Sequence, residues 1–360
     1  MAFERSEQVV LQRVESARRR PLRFRDEQIT MAHGAGGRAS RQLVEGLLLP
    51  ELTNPALAAL GDAAALELEG TRLAFTTDAF VVHPLRFPGG SIGELAVNGT
   101  VNDLAVAGAR PVALSAALIL EEGLSTSSLR AEVEAMGEAA RRAGVPVVAG
   151  DTKVVQRGKG DGLYITTTGV GQVRSEAELD PSRVRPGDQV VVSGSLGDHG
   201  VAILLARGQL DLVADVRSDT CSLWPLVESL IAACGPGVRC LRDATRGGVA
   251  TVLNEIAATA DVGVVVDEAT LPVRPEVRGA SELLGIDVLY MANEGKLVGF
   301  VSPDQADAAV AVLREHPPGA DAAVIGEVVE EPPGRVLGRT GFGGHRIIDV
   351  LVGDPLPRIC

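Results

Sequence analysis

Cysteine is scarce: Cys221, Cys234, Cys240 and Cys360 are the four in 360 residues, with no CxxC and no ladder of spacings. Neither a zinc site nor a disulfide framework is indicated, and a reducing cytoplasm fits. Histidines number five and none begins an HExxH, which leaves nothing to support a zinc hydrolase. The longest nearly apolar stretch, Ala113 to Leu120, is too short to span a bilayer. Positive charge is in deficit as well. A formal net charge of -13 argues against a nucleic-acid surface, so any nucleotide must be held by backbone amides, a few cations and metal.

What is abundant is small and apolar. Hydrophobic residues make up 46% of the chain with only 3% aromatic, beside 42 glycines, which implies Ala/Val/Leu cores and many tight turns. The length favours two domains, and the pattern mixes strands and helices in an α/β (α+β) arrangement. Residues 1–28 form an arginine-rich extension (Arg5, Arg13, Arg18, Arg19, Arg20, Arg23, Arg25) whose Glu4, Glu7 and Glu15 argue against a transit peptide. The break at Asp180-Pro-Ser-Arg-Val-Arg-Pro-Gly187 divides a first domain, 29–178, from a second, 179–344. From 345 to 360 a mobile tail is expected. Pro355 and Pro357 make it a semi-rigid arm of on the order of 50 Å when extended, carrying the Cys360 thiol as an accessible soft nucleophile.

Carboxylates gather where elements end. Asp62 precedes one expected strand and Asp78 follows another; Asp103 sits in an Ala/Val/Leu helix from about Ser91 to Ala107 beside Asn98 and Asn102. Asp151 lies in Gly150-Asp-Thr-Lys153, read as a turn, and Asp243 opens the glycine-bearing entry to the helix Val249–Ala260. Hard oxygen donors of this kind suit Mg²⁺ bridging nucleotide phosphates. The loop Met31-Ala-His-Gly-Ala-Gly-Gly-Arg38 bares amides, although it has neither the Rossmann spacing nor a GK[ST] ending.

In order from Thr30 to Cys360, a set of motifs closely resembles the HypE family of hydrogenase maturation proteins, in the aminoimidazole-ribonucleotide synthetase and selenophosphate synthetase (PurM-like) superfamily. They are Ala32-His-Gly-Ala-Gly-Gly37, Thr77-Asp78, Phe87-Pro-Gly-Gly90, Asn102-Asp103, Ile119-Leu-Glu-Glu-Gly123, Gly150-Asp-Thr-Lys-Val-Val-Gln-Arg157, Gly197-Asp-His-Gly200, Arg242-Asp-Ala-Thr-Arg-Gly-Gly248, Ala292-Asn-Glu-Gly-Lys296 and Pro357-Arg-Ile-Cys360. The resemblance implies a two-domain PurM-like fold with a ferredoxin-like N-terminal sheet, a homodimer formed through N-terminal strands, and ATP near the dimer interface. It implies that Cys360 receives a carbamoyl group from the carbamoyltransferase HypF. ATP-dependent dehydration then gives a thiocyanate that supplies cyanide, through a HypC–HypD scaffold, to the iron of a nickel-iron hydrogenase.

By the same resemblance Glu294 takes a carboxamide proton and Lys153 stabilises charge on oxygen or phosphoryl group. Asp62, Asp78, Asp103, Asp151 and Asp243 would hold Mg²⁺; Gly36, Gly37, Asp78, Asn102, Asp103, Asp151, Thr152 and Asp243 would contact the nucleotide. The superfamily's paired aspartates are here a single one, Gly61-Asp62-Ala63. Two rivals stay open on the residues alone: a relative that phosphorylates a small acceptor, and a non-enzymatic carrier of a metal ligand.

Overall fold

The protein is represented by a computed structural model in which residues 24–208, 214–351 and 358–360 are described. The expected extension over 1–28 therefore falls almost entirely outside the described residues. Period-two alternation builds the first sheet from β1 (Ala64–Leu68), β2 (Thr71–Phe80), β3 (Ala109–Glu121), β4 (Val147–Val155) and β5 (Leu163–Val173). Their order is β1-β2-β5-β3-β4, antiparallel except for the parallel pair β3/β4. A parallel pair needs a crossover, and the helix α2 (Thr126–Ala143) supplies it. Ser125 caps the start of α2 by accepting from the Ser128 amide, and Gly144 ends it in the left-handed region.

One face of this sheet is covered and the other is open. Leu163, Ile165 and Thr167 of β5 and Ala74, Thr76 and Phe80 of β2 are buried, whereas their alternates Phe75 and Thr77 are exposed. The cover is α1 (Ile92–Val106), in which every residue except Glu94 is buried. A helix closed in all round must lie between two layers. Close approach on the α2 side is fixed by Gly93, where a Cβ would meet the Glu132 carbonyl at 2.1 Å.

The second layer is a seven-stranded sheet: β6 (Gln189–Val192), β7 (Val238–Asp243), β8 (Gly263–Asp267), β9 (Leu297–Val301), β10 (Ala323–Val329), β11 (Arg335–Arg339) and β12 (His345–Ile348). Its order is β12-β11-β8-β10-β6-β9-β7, with only β8/β11 parallel. Its central strands read as continuous valine because both faces are covered. Val190 and Val192 pack with α3 (Asp198–Ala206) and α5 (Gly248–Ala260), and Val191 packs with α4 (Trp224–Cys234) and α6 (Ala306–Arg314).

Two expectations change. Gly150–Lys153 is strand rather than turn, because the β-branched Val147, Val148, Val154 and Val155 on either side extend β4 through it. Gly150 is tolerated there since the Ala116 carbonyl of β3 would lie 2.6 Å from a Cβ. The start of the expected arm is sheet instead, because His345–Ile348 pairs with β11 as β12, and 352–357 of that arm lie outside the described residues.

Candidate active site

Strand ends, one helix and one loop bring the acids of the first sheet against those of the second. Asp103 of α1 accepts a hydrogen bond from Thr76 Oγ1 of β2 at 2.6 Å, and the same hydroxyl lies 2.8 Å from the Asp62 carbonyl. Asp78 is next in line on the covered face of β2, near Gly99 of α1. Opposite stands Asp243, the last residue of β7, in register with Leu297 of β9 just after the Asn293-Glu294 loop. Asp62 is ion-paired with Arg242 at 2.7 Å, and Arg242 also reaches Glu255 at 3.2 Å. Gly34, Gly36 and Thr251, Val252 and Glu255 of α5 complete a cleft of ≈ 350 Å³ with Asp62, Asp243, Arg242 and Arg246. Gly36, at φ +76°, is required here: a Cβ would meet that of Arg246 at 2.8 Å.

The acids crowd one another. Burial, then repulsion from Asp78, Asp243 and Asp62, holds the Asp103 carboxyl well above the ordinary 3.8. Burial, then Asp62 and Asp78, does the same for Asp243. Asp78 is raised by burial against the pull of Arg246, and Asp62 by burial against Arg242. Glu294 is 3% exposed, its Oε1 has no hydrogen-bond partner, and burial followed by Asp243 and Asp219 lifts its carboxyl far up. Such a set gains from added positive charge. Among the described residues no three His, Cys, Asp or Glu side chains surround one point closely enough to hold an ion alone. A cation here would complete its shell with phosphate oxygens and water, the habit of Mg²⁺.

Cys360 lies alongside the residues that follow β2. It is 9% exposed, its carbonyl accepts from the Val81 amide just beyond β2 at 3.0 Å, and it heads the groups that raise the Arg246 pKa, ahead of Asp78, Glu294 and Asp243. The Arg246 guanidinium itself donates to the Gly34 carbonyl at 3.1 Å and lines the cleft beside Asp62 and Asp243. Arg246 was visible only as part of Arg242-Asp-Ala-Thr-Arg-Gly-Gly248; alternating charge beside paired glycines was the available signal.

Three expected residues lie elsewhere within the chain. Asp151, Thr152 and Lys153 are exposed on the edge strand β4, where Lys153 Nζ binds Asp151 at 2.7 Å and thereby lowers the aspartate's pKa. Asp78 is in register with Thr167, Thr167 with Ala116 and Ala116 with Gly150, so β2 and β4 are separated by about 14 Å of sheet. Asp151 and Lys153, in register with Ala117 and Ile119, point to the open face, opposite to Asp78.

Asn102 is buried in α1 and bonded within the chain. Its Nδ2 donates to the Cys221 and Glu294 carbonyls at 3.0 and 3.1 Å, and its Oδ1 accepts from the Leu223 amide at 2.7 Å. Gly37 lies against the Leu351 carbonyl, 2.5 Å from where a Cβ would stand. A buried pair outside the expected set supports Glu294 from below: Asp219 Oδ1 accepts from the Glu294 amide at 3.0 Å, and Lys296 Nζ lies 3.2 Å from Asp219 Oδ2.

Family models for the AIR synthase related protein match this chain, the N-terminal domain over residues 60–173 and the C-terminal domain over 185–338. The carbamoyl dehydratase HypE of Rhodobacter capsulatus is 54% identical over 342 residues, 94% of this chain and all of that protein. The chain belongs to the HypE family of carbamoyl dehydratases. It is an enzyme of hydrogenase maturation with the PurM-like fold expected from its motifs. A crystal structure of HypE in complex with ATP superimposes with a TM-score of 0.78 at 48% identity, covering 92% of this chain and 100% of that one. A HypE–HypF complex gives 0.82 at 44%, covering 86% and 99%. Among the described residues no helix is long and apolar enough to cross a membrane.

Proposed function

We propose that the cleft dehydrates the S-carbamoylated Cys360 to a thiocyanate, with ATP as phosphoryl donor. The observation that carries this reading is a cleft lined by Asp62, Asp243 and Arg246, with Asp103 held by Thr76 and a buried Glu294 whose Oε1 has no hydrogen-bond partner. A carboxamide oxygen leaves poorly; ATP supplies the phosphoryl group that turns departing oxide into departing phosphate, and Mg²⁺ neutralises phosphate charge. Asp78, Asp103 and Asp243 would hold Mg²⁺ and phosphates, with Gly36 and Gly37 lending close backbone. Asp62 contributes through its pairing with Arg242. Arg246 stabilises negative charge as it builds at the carbamoyl oxygen.

Glu294 takes the carboxamide protons. Its free Oε1 is available, and the neighbours that raise its pKa make its ionised form a stronger base. Overall one water's elements leave the carboxamide: oxygen departs with phosphate, two protons leave nitrogen, and the carbon–nitrogen triple bond forms. The product cyanide would pass to a HypC–HypD acceptor, and the carbamoyl group would come from HypF, in the cytoplasm.

Lys153, Thr152 and Asp151 enter this scheme from a second copy. The open face that carries Asp151 and Lys153 also exposes Phe75, Val112 and Ile119, and β4 leaves Val148 and Val154 two-thirds exposed. An apolar sheet face with an unpaired edge strand is a surface made for association, and a homodimer would bring the partner's strand to the cleft. The test is mass spectrometry of S-carbamoylated protein: Cys360 should lose one water only with Mg-ATP, and not at all in Glu294→Gln. An unchanged mass in the wild-type protein overturns the reading.

A further inference from the structure

The last described segment, Arg358–Cys360, is held by groups that take no part in the chemistry above, and their arrangement amounts to a recognition site. Two backbone bonds join it to the residues following β2: the Val81 amide donates to the Cys360 carbonyl at 3.0 Å and the His83 amide to the Arg358 carbonyl at 3.4 Å. The two partners run in opposite directions along the two segments, which lays the end of the chain alongside residues 81–83 without making it a strand. Such pairing fixes the position of the thiol along β2 but is blind to side chains.

Three side chains on two other elements hold the segment further, and of these Asp161 alone meets one of its side chains. Asp161, in the turn before β5, forms an ion pair with the Arg358 guanidinium. Arg207, at the end of α3, donates through Nη2 to the Arg358 carbonyl at 2.6 Å and through Nε to the His83 carbonyl at 2.9 Å, clasping both segments. His199, fully buried in α3, lies 2.8 Å from the Ile359 carbonyl through Nε2 and 2.8 Å from Ser218 Oγ through Nδ1. Ser218 Oγ accepts from the Thr220 amide, so its own proton is free for Nδ1, and the tautomer left to His199 donates from Nε2 to Ile359. The Ile359 side chain is buried in the main core cluster. Arg358 sits at φ +58°, an unfavourable value for a non-glycine residue that persists only where surrounding contacts determine it from both sides.

We propose that the residues following β2 with Asp161, His199 and Arg207 are a peptide-reading cradle for a segment of the form Arg–aliphatic–Cys, in which these three are positioning residues that hold Cys360 beside the end of β2. Arg358 is read through its charge and Ile359 through burial, while the backbone bonds to Val81 and His83 and the contact of His199 with the Ile359 carbonyl set where Cys360 stands. The importance of that placement rests on the reaction proposed for Cys360; the recognition itself does not. It can therefore be tested with no nucleotide and no carbamoyl group present.

The experiment uses the full-length protein and follows alkylation of Cys360 by iodoacetamide at neutral pH, read on the peptide containing it. Asp161→Arg should raise the Cys360 alkylation rate about two- to five-fold, the range for losing a partly exposed ion pair. Arg358→Asp should do the same, and the two together should return the rate toward that of the wild type. Arg207→Met should raise it roughly ten-fold, since charged donors to two carbonyls are lost. Equal circular dichroism and urea midpoints establish that the variants are folded. If neither charge reversal changes the rate, or the double reversal is no slower than the singles, the cradle is overturned. Loss of dehydration with intact rescue of alkylation would instead count against the proposed chemistry alone.

Discussion

Replacing Asn102 with leucine separates two roles for that residue. In the structure its amide satisfies the carbonyls of Cys221 and Glu294 and the amide of Leu223. It thereby pins α1 to the loop before α4 and to the Glu294 loop. Leucine has the same branched skeleton and is somewhat bulkier, so water is kept out and three backbone groups lose their partner. At about 1–3 kcal/mol for each buried group left unmatched, and with carbonyls retaining some relaxation, Asn102→Leu should destabilise by on the order of 3–5 kcal/mol. That is a large part of the usual margin of 5–15 kcal/mol. The single tryptophan, Trp224, follows Leu223 directly and reports on this contact by fluorescence. The urea midpoint read by Trp224 should fall by roughly 1–2 M. Dehydration should fall with it, because the Glu294 backbone loses one of its two anchors. An unchanged midpoint together with weakened ATP binding would refute the argument and restore Asn102 as a nucleotide contact.

Two further outcomes follow from the same geometry. If Lys153 and Glu294 serve one cleft from different subunits, mixing Lys153→Met with Glu294→Gln and allowing subunits to exchange should restore about a quarter of wild-type dehydration, since half the dimers are mixed and each has one intact site; no recovery counts against the shared cleft. Asp103→Asn tests the crowded acids. Because the folded carboxyl is raised above its ordinary 3.8, the unfolded chain loses that proton first, and stability falls as pH rises from about 3.8 through the folded value. Asparagine removes that fall, so its urea midpoint should gain on the wild type between pH 4.5 and pH 8; a difference that is flat with pH would show that Asp103 is not destabilised by its surroundings.

Much of the architecture was written in local pattern. The alternation of β2 and β5, the cap of α2 at Ser125 with its glycine stop at Gly144, and the valine runs of the second sheet are short-range signals, and the structure follows them. Pattern was less informative about Gly150–Lys153, where glycine and aspartate suggested a turn. The neighbouring strand β3 instead holds the backbone extended, because its hydrogen bonds outweigh local propensity.

The sequence by itself determined the chemistry available: carboxylates placed at element ends, bare glycine loops, a thiol at residue 360, and the ordered motifs that mark the family. Those depend on residue type and spacing. Only the tertiary structure decided which of these groups meet. Strand register sent Asp78 to the covered face and Asp151 with Lys153 to the open one, since opposite faces alternate along every strand. Packing of the two sheets on α1 turned Asn102 into a clasp between layers, and backbone bonds to Val81 and His83 set Arg358–Cys360 beside the end of β2. These are contacts across tens to hundreds of residues, fixed by where surfaces close on each other, and no local pattern encodes them.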